Sequence, residues 1–302
     1  MKKKILIIMV CILFLFGFSL LLYPLAANQW NVYRQNLLIS SYDQVADSLE
    51  EEEFVREWEK AESFNDALGE NDIYAETPEE GEENQAEIPY QEVLNIAGNG
   101  VMGYLSIPKI DVKLAIYHGT GDDVLRTGVG HLSGTNLPTG GKGTHAVLAA
   151  HRGFPGAKLF TDLDRLEKGD EFYIHVLDEV HAYKVDRILP MVRKDDRQTL
   201  EEACRAEEGK DHVTLLTCTP YGTNSHRLLV RGERIEGRGM GGEKKTAGTV
   251  LEFVGEAANN VYILYASVGG LVTLLIIVFM CRIGSWEKKE KKVSDPNLEF
   301  KE

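Results

Sequence analysis

Two long uncharged runs constrain this chain more than any other feature of its sequence. The first extends from Ile5 to Ala27 and the second from Val261 to Cys281, so they are 23 and 21 residues long. A bilayer core needs about 20 apolar helical residues, and each run is therefore long enough to cross a membrane once. We expect one transmembrane helix over 5–27 and another over 261–281.

Each run has an alternative interpretation. For the first run it is a cleaved signal peptide, whose apolar stretch is usually ~7–15 residues long and ends at a small-x-small cleavage site. Leu25-Ala26-Ala27 fits such a site poorly, which favours an uncleaved anchor. For the second run the alternative is a buried core helix.

The charges beside the two runs predict the orientation in the membrane. Lys2 to Lys4 precede the first run, and Arg282 with four lysines up to Lys292 follows the second. Positive juxtamembrane charge stays in the cytoplasm. We therefore expect a two-pass cell-membrane protein with cytoplasmic termini at 1–4 and 282–302 and an extracellular portion between the two spans.

The extracellular portion begins with an acidic segment. The chain has a formal charge of −14, and residues 50–87 alone contain sixteen acids and two bases. This balance argues against nucleic-acid binding, which requires a basic face. Apolar residues between Val45 and Leu68 recur near helical spacing, whereas 70–87 has the composition of a loop. We interpret 28–98 as an acidic, partly helical segment.

From about residue 99 to residue 240 the sequence alternates short β-rich runs with Gly, Pro, Asn and Asp, and a linker over 241–260 follows. Many short strands separated by Gly-rich turns predict an antiparallel barrel or sandwich. One short helix is expected over 199–207. The seven strand candidates are 103–107, 115–117, 144–149, 171–176, 182–185, 213–217 and 228–231.

Only two cysteines lie outside the apolar runs. A disulfide between Cys204 and Cys218 is one interpretation, since an exported compartment permits it. The other is a catalytic thiol at Cys218, because this residue ends a strand and opens into a loop with Pro and Gly, where a side chain is accessible. A thiol nucleophile also needs a group that favours its thiolate, since the free pKa is near ~8.5.

His151 is the candidate for that group, because it ends the apolar strand 146–150 and precedes a loop; His145 at the other end of the strand competes with it. Arg227 begins the strand after Cys218, and a hairpin places it opposite the thiol, where a cation stabilises an oxyanion. No pair has zinc-helix spacing and there is no Cys-x-x-Cys, so we expect neither metal nor cofactor. The remaining histidines are interpreted as surface or turn residues: His118, His131, His175, His181, His212 and His226.

The sequence around these three residues resembles the sortases. Thr214-Leu215-Leu216-Thr217-Cys218 matches the family's Thr-Leu-x-Thr-Cys signature, and Arg227 follows nine residues later. More narrowly, the chain resembles class C, pilin-polymerising sortases. The segments that carry the resemblance are 103–110, 116–120, 130–132, 150–153, 157–163, 217–222 and 226–232, together with the second apolar run.

The resemblance implies an all-β fold with short helices, a closed eight-stranded sortase-type barrel, and flanking transmembrane helices. It also implies a Gram-positive cysteine transpeptidase in which Cys218 attacks the Thr–Gly bond of a Leu-Pro-x-Thr-Gly (LPxTG) sorting signal. His151 then acts as acid and base, and Arg227 holds the substrate carbonyl or oxyanion. The implied partners are LPxTG-bearing pilins or surface proteins and an amine acceptor, a pilin lysine in class C.

Class C enzymes usually carry a lid with an Asp-Pro-aromatic motif over the cysteine. The corresponding region here reads Asp72-Ile73-Tyr74, without the proline. Asp72 and Tyr74 are thus either a degenerate lid or part of an ordinary linker.

Three other functions are weighed against pilus assembly. A sortase that anchors surface proteins to peptidoglycan uses the same chemistry with a cross-bridge amine. A non-catalytic acidic surface module has the Cys204–Cys218 disulfide instead of a thiol. A thiol-disulfide oxidoreductase needs a Cys-x-x-Cys arrangement, which the sequence lacks.

Overall fold

A computed structural model describes residues 2–68, 88–236 and 269. In this part of the chain there are four α-helices and three short 3-10 helices. The α-helices are α1 (Lys2–Ser48), α2 (Glu51–Ala67), α3 (Asp122–Thr127) and α4 (Arg197–Cys204). The strands are β1 (Val101–Ile107), β2 (Val112–His118), β3 (Val129–His131), β4 (Thr144–Ala149), β5 (Glu171–Val176), β6 (Glu179–Arg193), β7 (Asp211–Thr219) and β8 (His226–Arg234).

The eight strands close into a barrel in the order β1-β2-β3-β4-β7-β8-β6-β5. The closed eight-stranded barrel that the resemblance implied is therefore confirmed. The antiparallel expectation is incomplete, because β2 pairs with β3 and β4 with β7 in parallel. Parallel neighbours need a crossover connection. Here α3 lies between β2 and β3, and the chain between β4 and β7 contains two further strands and α4.

Two strands differ from the sequence prediction. The missed strand, β3, is only three residues long, too short for an alternating pattern to be recognised. The predicted run 182–185 is the centre of the 15-residue β6. Register shifts at residue 186 and between 189 and 192 interrupt the pairing of β6 with β8, so its alternation cannot be followed along the sequence.

The predicted helices also shift at their ends. The periodic stretch 45–68 is two helices, with the break at Leu49 and Glu50. Three glutamates form the first turn of α2, where negative charge favours a helix start. The helix expected over 199–207 begins earlier, because the Asp196 side chain accepts a hydrogen bond from the Thr199 amide and caps α4.

Two compact units divide the chain, 1–22 with 248–302 and 23–247. Within the described residues, α1 is the one helix long and apolar enough to cross a membrane. Two flanking transmembrane helices are therefore not confirmed, since the second predicted span, 261–281, lies outside the described residues except for residue 269. The linker 241–260, the tail 282–302 and the lid candidates Asp72 and Tyr74 also lie outside them.

Side chains at the end of α1 attach this helix to the barrel. Ile39 and Tyr42 are fully buried against Val101 and Ala115 of the first two strands. The Tyr42 hydroxyl donates to the Met102 carbonyl at 3.0 Å and accepts from the Leu177 amide at 2.9 Å. Both hydrogen bonds satisfy buried backbone groups, so the tyrosine specifies where the helix packs.

Candidate active site

Cys218 is the next-to-last residue of β7 and is partly exposed. Val213 and Leu215 of this strand face the main core, whereas Leu216 packs against a separate cluster on the outer face that contains Leu229. Because side chains alternate along a strand, Cys218 lies on the same outer face as Leu216. Its thiol is unbonded and lies at the edge of the barrel.

Arg227 lies directly opposite Cys218, because the antiparallel register of β7 and β8 pairs these two residues. This is the placement that the hairpin predicted. The guanidinium donates from Nη1 to the carbonyls of His226 at 3.2 Å and Asn224 at 3.4 Å. No carboxylate among the described residues forms an ion pair with it, so the charge is available to a ligand.

His151 is brought to the same edge by the parallel pairing of β4 with β7. Ala149 pairs with Leu216, and the Ala150 amide donates to the Leu216 carbonyl at 3.2 Å. β4 ends at Ala149, and the same register continued for two more residues would bring residue 151 level with residue 218. The His151 ring stacks on Phe154, with centroids 5.8 Å apart, and its carbonyl accepts from the Phe160 amide at 3.1 Å.

Cys218 and Arg227 thus lie on the neighbouring strands β7 and β8, and His151 lies in the loop two residues after β4, the strand on the other side of β7. A thiol, an imidazole and an unpaired guanidinium in this order can perform nucleophilic attack, proton transfer and charge stabilisation.

Comparison with known proteins identifies the architecture. A family model described as a sortase domain matches residues 105–235. The crystal structure of sortase C1 from Streptococcus agalactiae is 40% identical, with a TM-score of 0.58, and the match covers 67% of this chain and 99% of that one. The chain belongs to the sortase family. A structure of Streptococcus pneumoniae sortase C is also 40% identical, with a TM-score of 0.54 and coverage of 66% and 96%.

Curated relatives are sortases of other kinds. Sortase SrtE2 of Streptomyces coelicolor is 30% identical over 152 residues, which is 47% of this chain and 59% of that protein. The chain spans 40–60% of the length of the first curated relatives that it matches. The solved class C structures, in contrast, are covered almost completely.

Arg152 of this sortase is a site residue that the sequence analysis missed. Its side chain is 10% exposed, forms an ion pair with Asp164, and donates from Nη1 to the Thr219 hydroxyl at 3.1 Å. Thr219 follows Cys218, so Arg152 joins the histidine loop to the end of the cysteine strand. The signals in the sequence were its position directly after His151 and its place in the segment 150–153, which carries the family resemblance.

A close contact between two loops gives the sortase a second connection at this edge. Gly153 lies against the Tyr221 ring, and a Cβ atom added to it would lie 2.4 Å from a ring carbon. The residue also has a φ of +70°, which L side chains rarely adopt. The backbone conformation therefore favours glycine at 153, and a larger side chain there would also displace the exposed Tyr221 ring.

His145, the competitor of His151, is buried in the wall of the barrel. Its ring nitrogens lie 2.9 Å from the Arg205 carbonyl and 2.8 Å from the Thr214 hydroxyl. Burial lowers the pKa of His145 to about 4, so the ring is neutral at physiological pH. With both nitrogens occupied inside the protein, it cannot serve Cys218.

The interpretation of the remaining histidines as surface or turn residues is wrong for four of them. All four are buried and lie in strands of the barrel. Three of them form hydrogen bonds through ring nitrogens with neighbouring polar groups, and the fourth, His212, forms none with the described residues. These four are His118, His131, His181 and His212.

The proposed Cys204–Cys218 disulfide is also wrong. Cys218 is unbonded. Cys204 ends α4 and is buried in the outer cluster with Val147 and Leu229, so its side chain is committed to packing. The sortase therefore has one accessible thiol in the described part of the barrel.

One group of possible metal ligands lies away from the thiol. Asp186, His212 and Glu233 each have a ligand atom within 4.8 Å of the other two. His212 is at the start of β7 and Cys218 at its end, so this group and the active-site edge are at opposite ends of one strand.

Proposed function

We propose that this sortase is a membrane-anchored cysteine transpeptidase with Cys218, His151 and Arg227 as its catalytic residues. The observation that carries the proposal is the pairing of an unbonded Cys218 with Arg227 on β8, beside the end of β4 where His151 stands. Members of this family are cysteine transpeptidases, and the chain matches class C members over nearly their whole length.

The first half-reaction makes a thioester. The Cys218 thiolate attacks the carbonyl carbon between Thr and Gly of an LPxTG signal, and Arg227 donates hydrogen bonds to the carbonyl oxygen as it gains charge. The C–N bond then breaks, and the proton on His151 goes to the leaving glycine amine. The substrate threonine remains attached to the Cys218 sulfur.

The second half-reaction resolves the thioester. An incoming primary amine gives a proton to His151, its nitrogen attacks the thioester carbon, and the C–S bond breaks to return the Cys218 thiolate. An amide replaces the thioester, and no net proton is consumed. For the acyl group to be transferred to the amine rather than hydrolysed, the site must orient the amine and limit the access of water to the thioester.

We propose a pilin lysine as the acceptor, so that repeated turnover builds an isopeptide-linked fibre. Two class C neighbours support this assignment by their descriptions, one concerning pilin substrate specificity and one pilus-related. The second candidate, a peptidoglycan cross-bridge amine, uses the same three residues and would make the chain a wall-anchoring sortase.

We also propose a two-pass topology in a Gram-positive cell membrane, with both termini cytoplasmic and the barrel outside. The apolar helix α1 and the flanking lysines support it.

The decisive experiment incubates the full-length enzyme in detergent with an LPxTG-bearing pilin and follows covalent products by denaturing electrophoresis. We expect a ladder of pilin oligomers that is absent with Cys218→Ala and present with the control Cys204→Ala. Replacing the acceptor lysine of the pilin by arginine separates the two acceptors. If the ladder is lost with the arginine-substituted pilin, the acceptor is the pilin lysine and the enzyme polymerises pilins. If the enzyme instead forms single adducts between the pilin and an added wall peptide, it anchors proteins to the cell wall. A ladder formed by Cys218→Ala would refute the enzyme proposal.

A further inference from the structure

His212 at the start of β7 is buried, and it has no hydrogen-bonding partner in the part of the chain that the structure describes. Its side chain is 1% exposed, and neither ring nitrogen forms a hydrogen bond with any described residue. Buried polar atoms in folded proteins are nearly always paired. An imidazole with two unpaired nitrogens in this position therefore points to a ligand that is not a protein side chain.

Two carboxylates converge on this ring from the neighbouring strand and the one beyond. Glu233 of β8 is the direct cross-strand partner of His212. Asp186 occupies the irregular position of β6, where the pairing with β8 shifts between residues 185 and 187. Such irregularities redirect a side chain and are common beside functional sites. One ligand atom of each of the three residues lies within 4.8 Å of the others.

We propose that Asp186, His212 and Glu233 form a binding site for a divalent transition-metal ion such as zinc. One imidazole and two carboxylates are a donor set that suits zinc better than calcium or magnesium, which prefer oxygen ligands only. The three residues lie on three adjacent strands, 26 and 21 positions apart in the sequence, and short-spacing motifs therefore cannot reveal the site.

The charges around the group are compatible with a cation. Arg231 donates from Nε and Nη2 to Asp186 and from Nη1 to Glu207, which fixes the Asp186 carboxylate as an outer-shell partner does. Lys210 donates to Oε1 of Glu233, which leaves Oε2 without a hydrogen bond among the described residues.

An ion can reach this group from solvent. The Glu233 side chain is 40% exposed and lines a cavity of about 720 Å³ together with Lys210 and Arg234. Of the three ligands only Glu233 lines this cavity, and water beside it would supply the remaining ligand that an open site with three protein ligands requires.

The test is a zinc titration of the full-length protein in detergent by isothermal calorimetry. Every protein carries Cys218→Ala, so the exposed thiolate cannot bind zinc and transpeptidation cannot influence the result. The variants are His212→Gln, Glu233→Gln and Asp186→Asn. The matched control is Glu236→Gln, which removes a carboxylate from the same cavity but not from the ligand group. Circular dichroism establishes that each variant is folded.

We expect one zinc ion per chain, about tenfold or more weaker binding in each folded ligand variant, and unchanged binding in Glu236→Gln. If His212→Gln does not fold, the two carboxylate variants carry the test alone. The proposal is overturned if the parent protein shows no saturable site, or if either Glu233→Gln or Asp186→Asn binds zinc as tightly as Glu236→Gln does.

Discussion

Arg227 carries a charge that no described carboxylate neutralises, although it shares β8 with Arg231, which is held by Asp186 and Glu207. The two arginines lie four residues apart on the same face of β8, so what distinguishes them is the carboxylates that Arg231 binds and Arg227 does not. A guanidinium offers a planar fork of donors that a lysine cannot reproduce. We infer that Arg227 binds the substrate, whereas Arg231 stabilises the fold.

This difference predicts opposite effects of one substitution. Arg227→Lys keeps the positive charge but removes the planar set of guanidinium donors. We expect kcat/KM for sorting-signal cleavage to fall ~10²-fold, which is the typical effect of removing one hydrogen-bond donor to an oxyanion. The melting temperature should be unchanged, because no ion pair is lost. Release of the glycine-containing product measures the rate, and scanning calorimetry measures stability.

Arg231→Lys is the control. This substitution removes the guanidinium that binds the Asp186 and Glu207 carboxylates. The melting temperature should therefore fall, while the folded enzyme still cleaves the sorting signal. A stable Arg227→Lys enzyme with parental kcat/KM would contradict the assignment of Arg227 to the oxyanion.

At the scale of elements, the site depends on how β4, β7 and β8 are joined. The β7–β8 hairpin could be predicted from sequence, since Cys218 and Arg227 are separated by one short loop and pair locally. The neighbouring position of β4 could not, because a parallel pair leaves no local signal in the sequence. The strand pattern alone therefore could not group His151 with Cys218 and Arg227. That grouping came from the match of Thr214–Cys218 to a family signature.

Arg152 was missed for a related reason. Its partners Asp164 and Thr219 lie 12 and 67 residues away, and nothing in the sequence pairs them. His212 was misread because the sequence shows a histidine at a strand start but not the carboxylates that two other strands bring to it.

The loop after β4 is held to the end of β7 by Arg152, which predicts a positioning role. Arg152→Lys keeps the charge but cannot contact Asp164 and Thr219 with one rigid fork. We expect kcat to fall about tenfold with KM nearly unchanged, because a small displacement of His151 slows proton transfer without changing substrate contacts.

The matched control is Arg165→Lys, which changes a largely exposed arginine beside the same loop and should leave both constants unchanged. Steady-state kinetics with a sorting-signal peptide and an amine acceptor gives both values. A fall in melting temperature with parental kcat in the folded Arg152→Lys protein would indicate a purely structural role.

For the whole molecule, the closed barrel buries histidines in neutral form, and this ties its stability to pH. Burial lowers the pKa values of three histidines, His131, His145 and His181, to about 4, against about 6.5 in an unfolded chain. Between these values the unfolded state binds protons that the folded state does not. Stability therefore decreases as the pH falls from about 6.5 toward 4.

The three histidines together take up between two and three protons on unfolding near pH 5, which corresponds to a slope of about 3.5 kcal/mol per pH unit. Denaturant unfolding of the full-length protein between pH 5 and pH 6.5 measures this slope. This window lies above the ordinary pKa of carboxyl groups, which limits their contribution. The His145→Gln protein should be less stable at pH 7, and its slope should be smaller by about one proton, since the substitution removes one of the three titrating rings. A free energy of unfolding that stays constant across the window in the parent protein would contradict the lowered pKa values, because these rings would then bind protons inside the barrel as they do in the unfolded chain.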